Sequence, residues 1–330
     1  MSKRVAAAGG AALALLMLFS FGTSVRAESQ SLYTDFQSFA SFTDSEAPEP
    51  SAADTQKAEK KSEKKSTAQP TQKTSQKPAQ KQSAGADPVR GTVLLDEKFN
   101  GSTLDTSVWN YCHWWNAGGC TIKSNDELEW YTPQQVKVKG GVLSLTAERK
   151  DTVSTDGTVF DYVSGMVTTG PQQHRQRPKL AFTYGVVDVR FKVPEGQGLW
   201  PAIWLLPASE ESRPEIDMME ILGHDTDNLR MKLHPKDRSA DRVGKKYLLP
   251  EGYGFADAWH TLSLDWSEQK LVMYLDNHKV WEYHGAEVPS EPMYLVMNLA
   301  VGGGYPGDPD ASTKFPATFQ IDRVRITSHD

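Results

Sequence analysis

Cysteine is scarce in this sequence, which contains only Cys112 and Cys120 among 330 residues. Together with the neighbouring His113, two thiols make a thin ligand set for a metal ion. A disulfide is the alternative, and oxidising compartments favour it. We therefore expect the two cysteines to be bridged, which would pin a short Gly-containing loop that bears Trp114 and Trp115.

Apolar runs long enough to cross a bilayer are missing after the first 27 residues. Residues 1–27 have the pattern of a secretory signal peptide, because Lys3 and Arg4 precede an apolar run and a small-residue cleavage site ends at Ala27. An uncleaved anchor is the alternative, but the run is barely long enough and two glycines interrupt it. We expect a secreted or periplasmic monomer with no membrane contact after signal cleavage.

Apolar side chains are also sparse in residues 28–90, which are rich in Ser, Ala, Gln, Lys, Thr and Pro. A segment of this composition cannot bury enough apolar surface to offset its chain entropy. We interpret residues 28–90 as a disordered linker. Residues 91–330, about 240 in number, are enough for one large core and form the predicted catalytic domain.

An excess of positive charge is lacking in the predicted domain. Residues 91–330 contain 24 basic and 33 acidic side chains. An acidic surface argues against nucleic acid or an anionic membrane as the partner, and it is compatible with a neutral polysaccharide.

Helical periodicity is scarce as well, whereas two-residue alternation is common. One stretch alternates Val187, Val189, Phe191 and Val193 with Asp188, Arg190 and Lys192, and another alternates Leu229, Met231 and Leu233 with Asn228, Arg230, Lys232 and His234. Short alternating segments separated by turn residues predict an all-β fold of two packed antiparallel sheets.

Three carboxylates stand in one short apolar run, Glu215-Ile216-Asp217-Met218-Met219-Glu220. In a strand Glu215 and Asp217 share a face, and a β-bulge at the two methionines would return Glu220 to that face. Apolar surroundings and like charges raise carboxyl pKa values, so one acid can stay protonated while another is ionised. Hydrolysis of a glycosidic bond requires this combination.

Two other interpretations of these acids are weaker. On a helix Asp217 would point away from the two glutamates, which would break the cluster. A calcium or magnesium site prefers ligands from a flexible loop, and here methionines separate the acids on a strand.

At these residues the chain resembles glycoside hydrolase family 16, whose bulged active-site strand reads Glu, apolar, Asp, two apolar residues, Glu. The resemblance extends over most of the chain from about Gly91 to Asp330. The segments that carry it are Asn125–Thr132, Phe182–Gly185, Gly198–Trp204 and Asn298–Gly303.

The resemblance implies a concanavalin-like jelly roll with a concave substrate cleft and a laminarinase or lichenase type of activity. It casts Glu215 as the nucleophile, Glu220 as the general acid and then base, and Asp217 as the residue that tunes and orients them. The implied enzyme is a retaining endo-acting hydrolase of β-linked glucan, of the 1,3 or mixed 1,3/1,4 type. The alternatives are a glycanase or transglycosylase of an exported bacterial polysaccharide and a non-catalytic carbohydrate-binding module.

Further residues are candidates for sugar contacts. Trp200 and Trp204 could stack on pyranose faces, although either could belong to the core, and His234 could bond sugar or Glu220. The remaining candidates are Asn125, Glu129, Trp130, Asn298 and Tyr305, the last standing where many relatives carry Trp. The resemblance implies no catalytic cofactor, and it suggests a structural calcium at Glu97, Gly141 and Asp322.

Overall fold

The computed structural model describes Pro88, residues 90–113 and residues 120–329. The predicted signal peptide and almost all of the predicted linker lie outside the described residues, as do Trp114 and Trp115. Within the described ranges no helix combines the length and the apolar content that crossing a membrane requires.

Sixteen strands in the described part of the chain form two sheets, which confirms the predicted sandwich. The ten-stranded sheet has the order β14-β13-β12-β7-β16-β4-β5-β2, with β1 added to β16 and β3 added to β4. Its strands are β1 Val93–Glu97, β2 Glu129–Tyr131, β3 Val136–Lys139, β4 Val142–Val153, β5 Val159–Ser164, β7 Gly185–Lys192, β12 His260–Ser267, β13 Lys270–Leu275, β14 His278–His284 and β16 Ala317–Thr327. Strands β2 and β5 run parallel, and the other pairs are antiparallel.

The six-stranded sheet has the order β11-β10-β9-β8-β15-β6 and is antiparallel throughout its pairs. Its strands are β6 Met166–Thr168, β8 Leu199–Pro207, β9 Glu215–Leu222, β10 Asp225–His234, β11 Val243–Leu248 and β15 Met293–Val301. Two short 3-10 helices, Lys123–Asn125 and Pro133–Gln135, flank β2.

The core lies between the sheets, and the alternation seen in the sequence builds it. Val187, Val189 and Phe191 of β7 are fully buried in the central apolar cluster. Leu229 and Met231 of β10 enter the same cluster from the other sheet. The opposite face of the six-stranded sheet is thereby left to the polar residues of β9 and β10, and this face forms the concave side of the jelly roll.

The predicted disulfide is confirmed, because Cys112 and Cys120 are bridged with their Cα atoms 5.1 Å apart. Immediately beyond the bridge, the Tyr131 N–H donates to the Cys120 carbonyl at 2.7 Å. The bridge therefore ties the segment before β2 to β2 itself.

Candidate active site

Strand β9 contains a β-bulge where the sequence predicts one. The β8 residues opposite Glu220 and Asp217 are two positions apart, whereas Glu220 and Asp217 are three apart on β9. The extra residue is accommodated because Met218 and Met219 both point into the core and are fully buried. The bulge therefore returns Glu220 to the cleft face that also carries Glu215.

The three carboxylates line a depression on the concave face. The other residues around it are Ile122, Asn125, Glu127, Trp200, Ala202, Trp204 and Asn298. Strands β8, β9 and β15 form its floor, and the segment before β2 forms one wall.

Asp217 lies at the centre of the charge cluster. His234 Nε2 is 2.9 Å from Asp217 Oδ2 and 3.8 Å from Glu215 Oε1. Burial alone would raise the pKa of Asp217, but the charge and hydrogen bond of His234 and the charge of Lys232 hold it below its usual range. The sequence suggested a bond from His234 to sugar or to Glu220; the hydrogen bond observed is with Asp217.

Glu215 and Asp217 are coupled through a hydrogen bond between their side chains. Burial raises the pKa of Glu215 well above its usual value, and the neighbouring charge of Asp217 raises it further. The hydrogen bond between the two carboxyls raises the pKa of Glu215 and lowers that of Asp217. These directions favour Glu215 over Asp217 as the protonated member of the pair.

Glu220 has a different partner. Lys232 Nζ lies 2.8 Å from Glu220 Oε2, and both side chains project from the cleft face. Burial raises the pKa of Glu220, whereas the charge of Lys232 opposes that increase. The outer two glutamates are thus tuned separately, one by a carboxyl and one by a lysine.

Trp200 and Trp204 both face the depression, as their spacing predicts. The indole N–H of Trp204 donates to Asn298 Oδ1 at 2.8 Å. The ring of Trp200 packs edge-on against Tyr305, with the ring centroids 5.1 Å apart. Only 8% of Trp200 and 7% of Trp204 is exposed, so each indole belongs to the floor of the cleft and also to the packing beneath it.

Glu129 and Trp130, which the sequence suggested as sugar contacts, lie outside the depression. Glu129 is fully buried, and its Oε2 accepts the Val301 N–H at 2.8 Å. Trp130 packs on Phe160 with the ring centroids 5.4 Å apart. Both residues belong to β2, which joins the ten-stranded sheet through β5, and neither lines the depression.

Glu127 lines the wall of the depression together with Asn125. Asn125 Nδ2 donates to Glu127 Oε1 at 2.9 Å, and the Tyr131 hydroxyl donates to Glu127 Oε2 at 3.3 Å. Asn298 Nδ2 in turn donates to the Tyr131 oxygen at 3.0 Å. Burial raises the pKa of Glu127 and, more strongly, that of Glu129, whose pKa the charge of Glu127 raises further.

The three residues suggested for calcium lie on the ten-stranded sheet or its turns. Asp322 stands at a bulge of β16, pairs with Arg190, and has a buried Oδ1 that no described residue bonds. The Glu97 carboxylate already accepts the Phe99 N–H at 2.7 Å. Gly141 is in the turn before β4 with φ +80°. An unbonded carboxylate oxygen suits a calcium ion, so Asp322 fits the suggestion, but the Glu97 side chain is already engaged.

In the described ranges, the one group of acidic and His side chains close enough to share an ion is Glu215, Asp217 and His234, whose ligand atoms lie within 4.8 Å of one another. Hydrogen bonds already join these three side chains through Asp217.

Lys232 and Glu127 are the two site residues that sequence reasoning missed. Lys232 alternates in step with His234, so its parity alone could have assigned it to the cleft face. Glu127 stands in an irregular segment, where no period predicts the direction of a side chain.

A concave antiparallel sheet with separately tuned carboxyl groups on one strand is the arrangement of a glycoside hydrolase. The profile of Glycosyl hydrolases family 16 matches residues 124–325. The chain belongs to this family.

Named relatives agree with the assignment. The chain is 35% identical over 265 residues to glucan endo-1,3-beta-glucosidase A1 of Niallia circulans, covering 71% of this chain and 37% of that protein. It is 32% identical over 241 residues to endo-1,3-1,4-beta-glycanase ExsH of Rhizobium meliloti, covering 68% and 48%. The chain thus spans less than half the length of these two relatives.

Solved structures share the fold. The endo-beta-1,3-glucanase of Pyrococcus furiosus superimposes with a TM-score of 0.64 at 31% identity, covering 72% of this chain and 94% of that one. The catalytic domain of a Thermotoga petrophila laminarinase gives 0.65 at 30% identity, covering 73% and 100%. The similarity therefore extends over nearly the full length of these two solved chains.

Proposed function

We propose that this protein is an endo-acting, retaining hydrolase of β-linked glucan of the 1,3 or mixed 1,3/1,4 type. One observation carries the proposal: the bulge of β9 brings Glu215, Asp217 and Glu220 to the concave face of a family 16 chain. The names of the relatives support the substrate class, since they include a glucan endo-1,3-beta-glucosidase and an endo-1,3-1,4-beta-glycanase.

In the first step Glu215 attacks the anomeric carbon while Glu220 gives its proton to the oxygen of the leaving sugar. The attacking carboxylate must be ionised, so a proton on Glu215 has to move to Asp217. The product of this step is a glycosyl group bonded covalently to Glu215.

In the second step a water molecule attacks the same carbon, and the ionised Glu220 accepts a proton from that water. The bond to Glu215 breaks, and the anomeric configuration of the substrate is retained. Only protein carboxyl groups take part, so the chemistry needs no cofactor. His234 keeps Asp217 oriented through both steps.

Product analysis tests this proposal. The mature protein is incubated with laminarin, mixed-linkage β-glucan and a β-galactan, and the first-formed anomer is followed by NMR. We expect a rapid fall in viscosity, oligosaccharides from the glucans, and a β-anomer as the first product. An initial α-anomer would exclude Glu215 as a nucleophile.

A glycanase acting on an exported bacterial polysaccharide is the second candidate, because ExsH and two further Rhizobium meliloti proteins matched by the chain are named endo-1,3-1,4-beta-glycanases. Adding bacterial exopolysaccharides to the substrate panel separates the two. A binding module without activity is disfavoured, since binding alone does not need a nucleophile and an acid on one strand face. Binding of glucan without any product would support it.

We also propose the context in which the enzyme works. The signal-like residues 1–27 support export, and the composition of residues 28–90 supports a spacer that catalysis does not need. A protein starting near Asp87 should therefore retain activity on soluble glucan as a monomer in gel filtration. The unbonded Oδ1 of Asp322 supports a structural calcium that would brace the ten-stranded sheet, so a chelator should lower the melting temperature.

A further inference from the structure

Among the described residues of the cleft, Lys232 is the one whose positive charge contacts a catalytic carboxylate of the proposed mechanism but has no part in that mechanism so far. Its Nζ lies 2.8 Å from Glu220 Oε2 and donates to the Tyr305 hydroxyl oxygen at 3.1 Å. The same nitrogen sits 4.3 Å from the centroid of the Tyr305 ring. The Tyr305 side chain thus holds the ammonium group beside Glu220.

This lysine is not an ordinary surface charge, because only 31% of its side chain is exposed. Burial alone would lower the pKa of Lys232, but the neighbouring Glu220, Tyr305 and Asp217 together outweigh burial and raise it. Lys232 is therefore positively charged at every pH at which a glycosidase works. Its charge acts on a carboxyl group that is itself 7% exposed, where solvent screening is weak.

The other charged groups around Glu220 do not take over this role. They are Asp217 and Glu215 on β9, Arg230 and His234 on β10, Glu127 in the wall, and Tyr305 in the segment after β15. Arg230 stands opposite Glu220 in register, but its guanidinium pairs with Asp225. His234 bonds Asp217, and the β8 residue opposite Glu220 is the uncharged Ala202.

We propose that Lys232, held by Tyr305, is a positioning residue that keeps the Glu220 carboxylate ionised and oriented as the base of the second half-reaction. This inference rests on the proposed function, in which Glu220 is first the acid and then the base. A positive charge in contact favours the ionised carboxyl, which helps the second step and works against the first. The hydroxyl oxygen of Tyr305 accepts a hydrogen bond from the Lys232 ammonium group and so holds that group beside Glu220.

The test is the pH profile of kcat/KM on soluble β-glucan, whose alkaline limb reports loss of the Glu220 proton in the free enzyme. Removing the charge with Lys232→Met should move that limb upward by about one pH unit or more. Lys232→Arg keeps the charge and should leave the limb near its wild-type position. Tyr305→Phe keeps the ring but removes the acceptor, so we expect a smaller upward shift.

A second readout separates positioning from a structural effect. On an aryl glycoside with a good leaving group the second step limits kcat. The acidic limb of the pH profile of kcat then reports protonation of Glu220 as the base, and this limb should also move to higher pH in Lys232→Met. Lys245→Met is the matched control, since Lys245 is exposed on the adjacent strand β11 and pairs with the core-facing Met231. Its pH profile should equal that of the wild type.

The outcomes are distinguishable. If Glu220→Ala hydrolyses glucan as well as the wild type, the proposed function fails. If Glu220→Ala is inactive while Lys232→Met and Tyr305→Phe fold and lose activity equally at every pH, the function stands and the positioning role is wrong. If Lys232→Met does not fold, the limb of Tyr305→Phe decides, and an unshifted limb overturns the proposal.

Discussion

Deletion of Met218 should leave all three carboxylates on one face of β9. In the intact strand Met218 and Met219 both point inward, and Glu220 is the next cleft-facing residue after Asp217. Without Met218, strict alternation would send Met219 inward and Glu220 to the cleft. The bulge would disappear, and with it the register shift between β9 and its neighbours β8 and β10 in this segment.

The register gives the size of the effect. On β10 the residues opposite Glu215 and Glu220 are His234 and Arg230, four positions apart. Four positions at roughly 3.3 Å each make about 13 Å. After the deletion Glu215 and Glu220 are also four positions apart on β9, so a regular strand without the bulge spans the same distance. The fully buried Met218 side chain is lost, which should lower the free energy of unfolding by about 2–5 kcal/mol. The free energy of unfolding of a typical domain is about 5–15 kcal/mol, so the variant should still fold.

Urea unfolding and the release of reducing ends from β-glucan check this prediction. Met218→Ala is the control, because it loses most of the same side chain but keeps the bulge. We expect similar stability in the two variants and activity of the deletion within about 10²-fold of the wild type, the cost of a small misplacement. Deletion of Ile216 should instead abolish activity, because Glu215 and Asp217 would then face opposite sides. A folded Met218 deletion with no activity, beside an active Met218→Ala, would refute the reasoning.

Three further variants test the site and its frame. Replacing Cys112 and Cys120 with Ser should lower the free energy of unfolding by about 2–3 kcal/mol in denaturant titrations, because the bridge closes a short ring; two free thiols in the unreduced denatured protein would contradict the bridge. Burial raises the folded-state pKa of Glu129 above its unfolded value. The contribution of this group to the free energy of unfolding is therefore fully present below the unfolded pKa and is lost as the pH rises towards the folded pKa. Glu129→Gln should therefore reduce the fall in melting temperature between pH 5 and pH 8. An unchanged fall would show that ionisation of Glu129 does not cause it. Asp217→Asn cannot take the proton from Glu215 and should lower kcat by about 10²-fold or more; a loss of only a few-fold would mean that the proton leaves by another route.

The bulge of β9 was predictable from the polarity of the residues in the strand alone. Three acids cannot enter an apolar core, and the two methionines between Asp217 and Glu220 can. The same logic predicts the cleft face of β10, where Leu229, Met231 and Leu233 are buried in the core. Here polarity and the two-residue period agree residue by residue.

The wall of the cleft was not predictable in the same way. Glu129 and Trp130 were assigned to sugar contacts from their segment, but β2 pairs with β5 and buries both. A carboxyl group can be buried in this way when a neighbouring carboxyl group bonds to it. No sequence pattern within the segment predicts that Glu127 is that neighbour.

The sequence by itself determined the class of fold, the bulged strand, the disulfide and the face on which the acids lie, since each depends on a period or spacing within a short segment. The tertiary structure alone decided which groups touch: His234 on Asp217, Lys232 on Glu220, Tyr305 beneath Lys232, and Glu127 in the wall. These contacts join residues on different strands, whose register depends on the packing of the whole sheet. The protonation of each carboxyl group depends on such contacts, and so the chemistry of the site belongs to the fold.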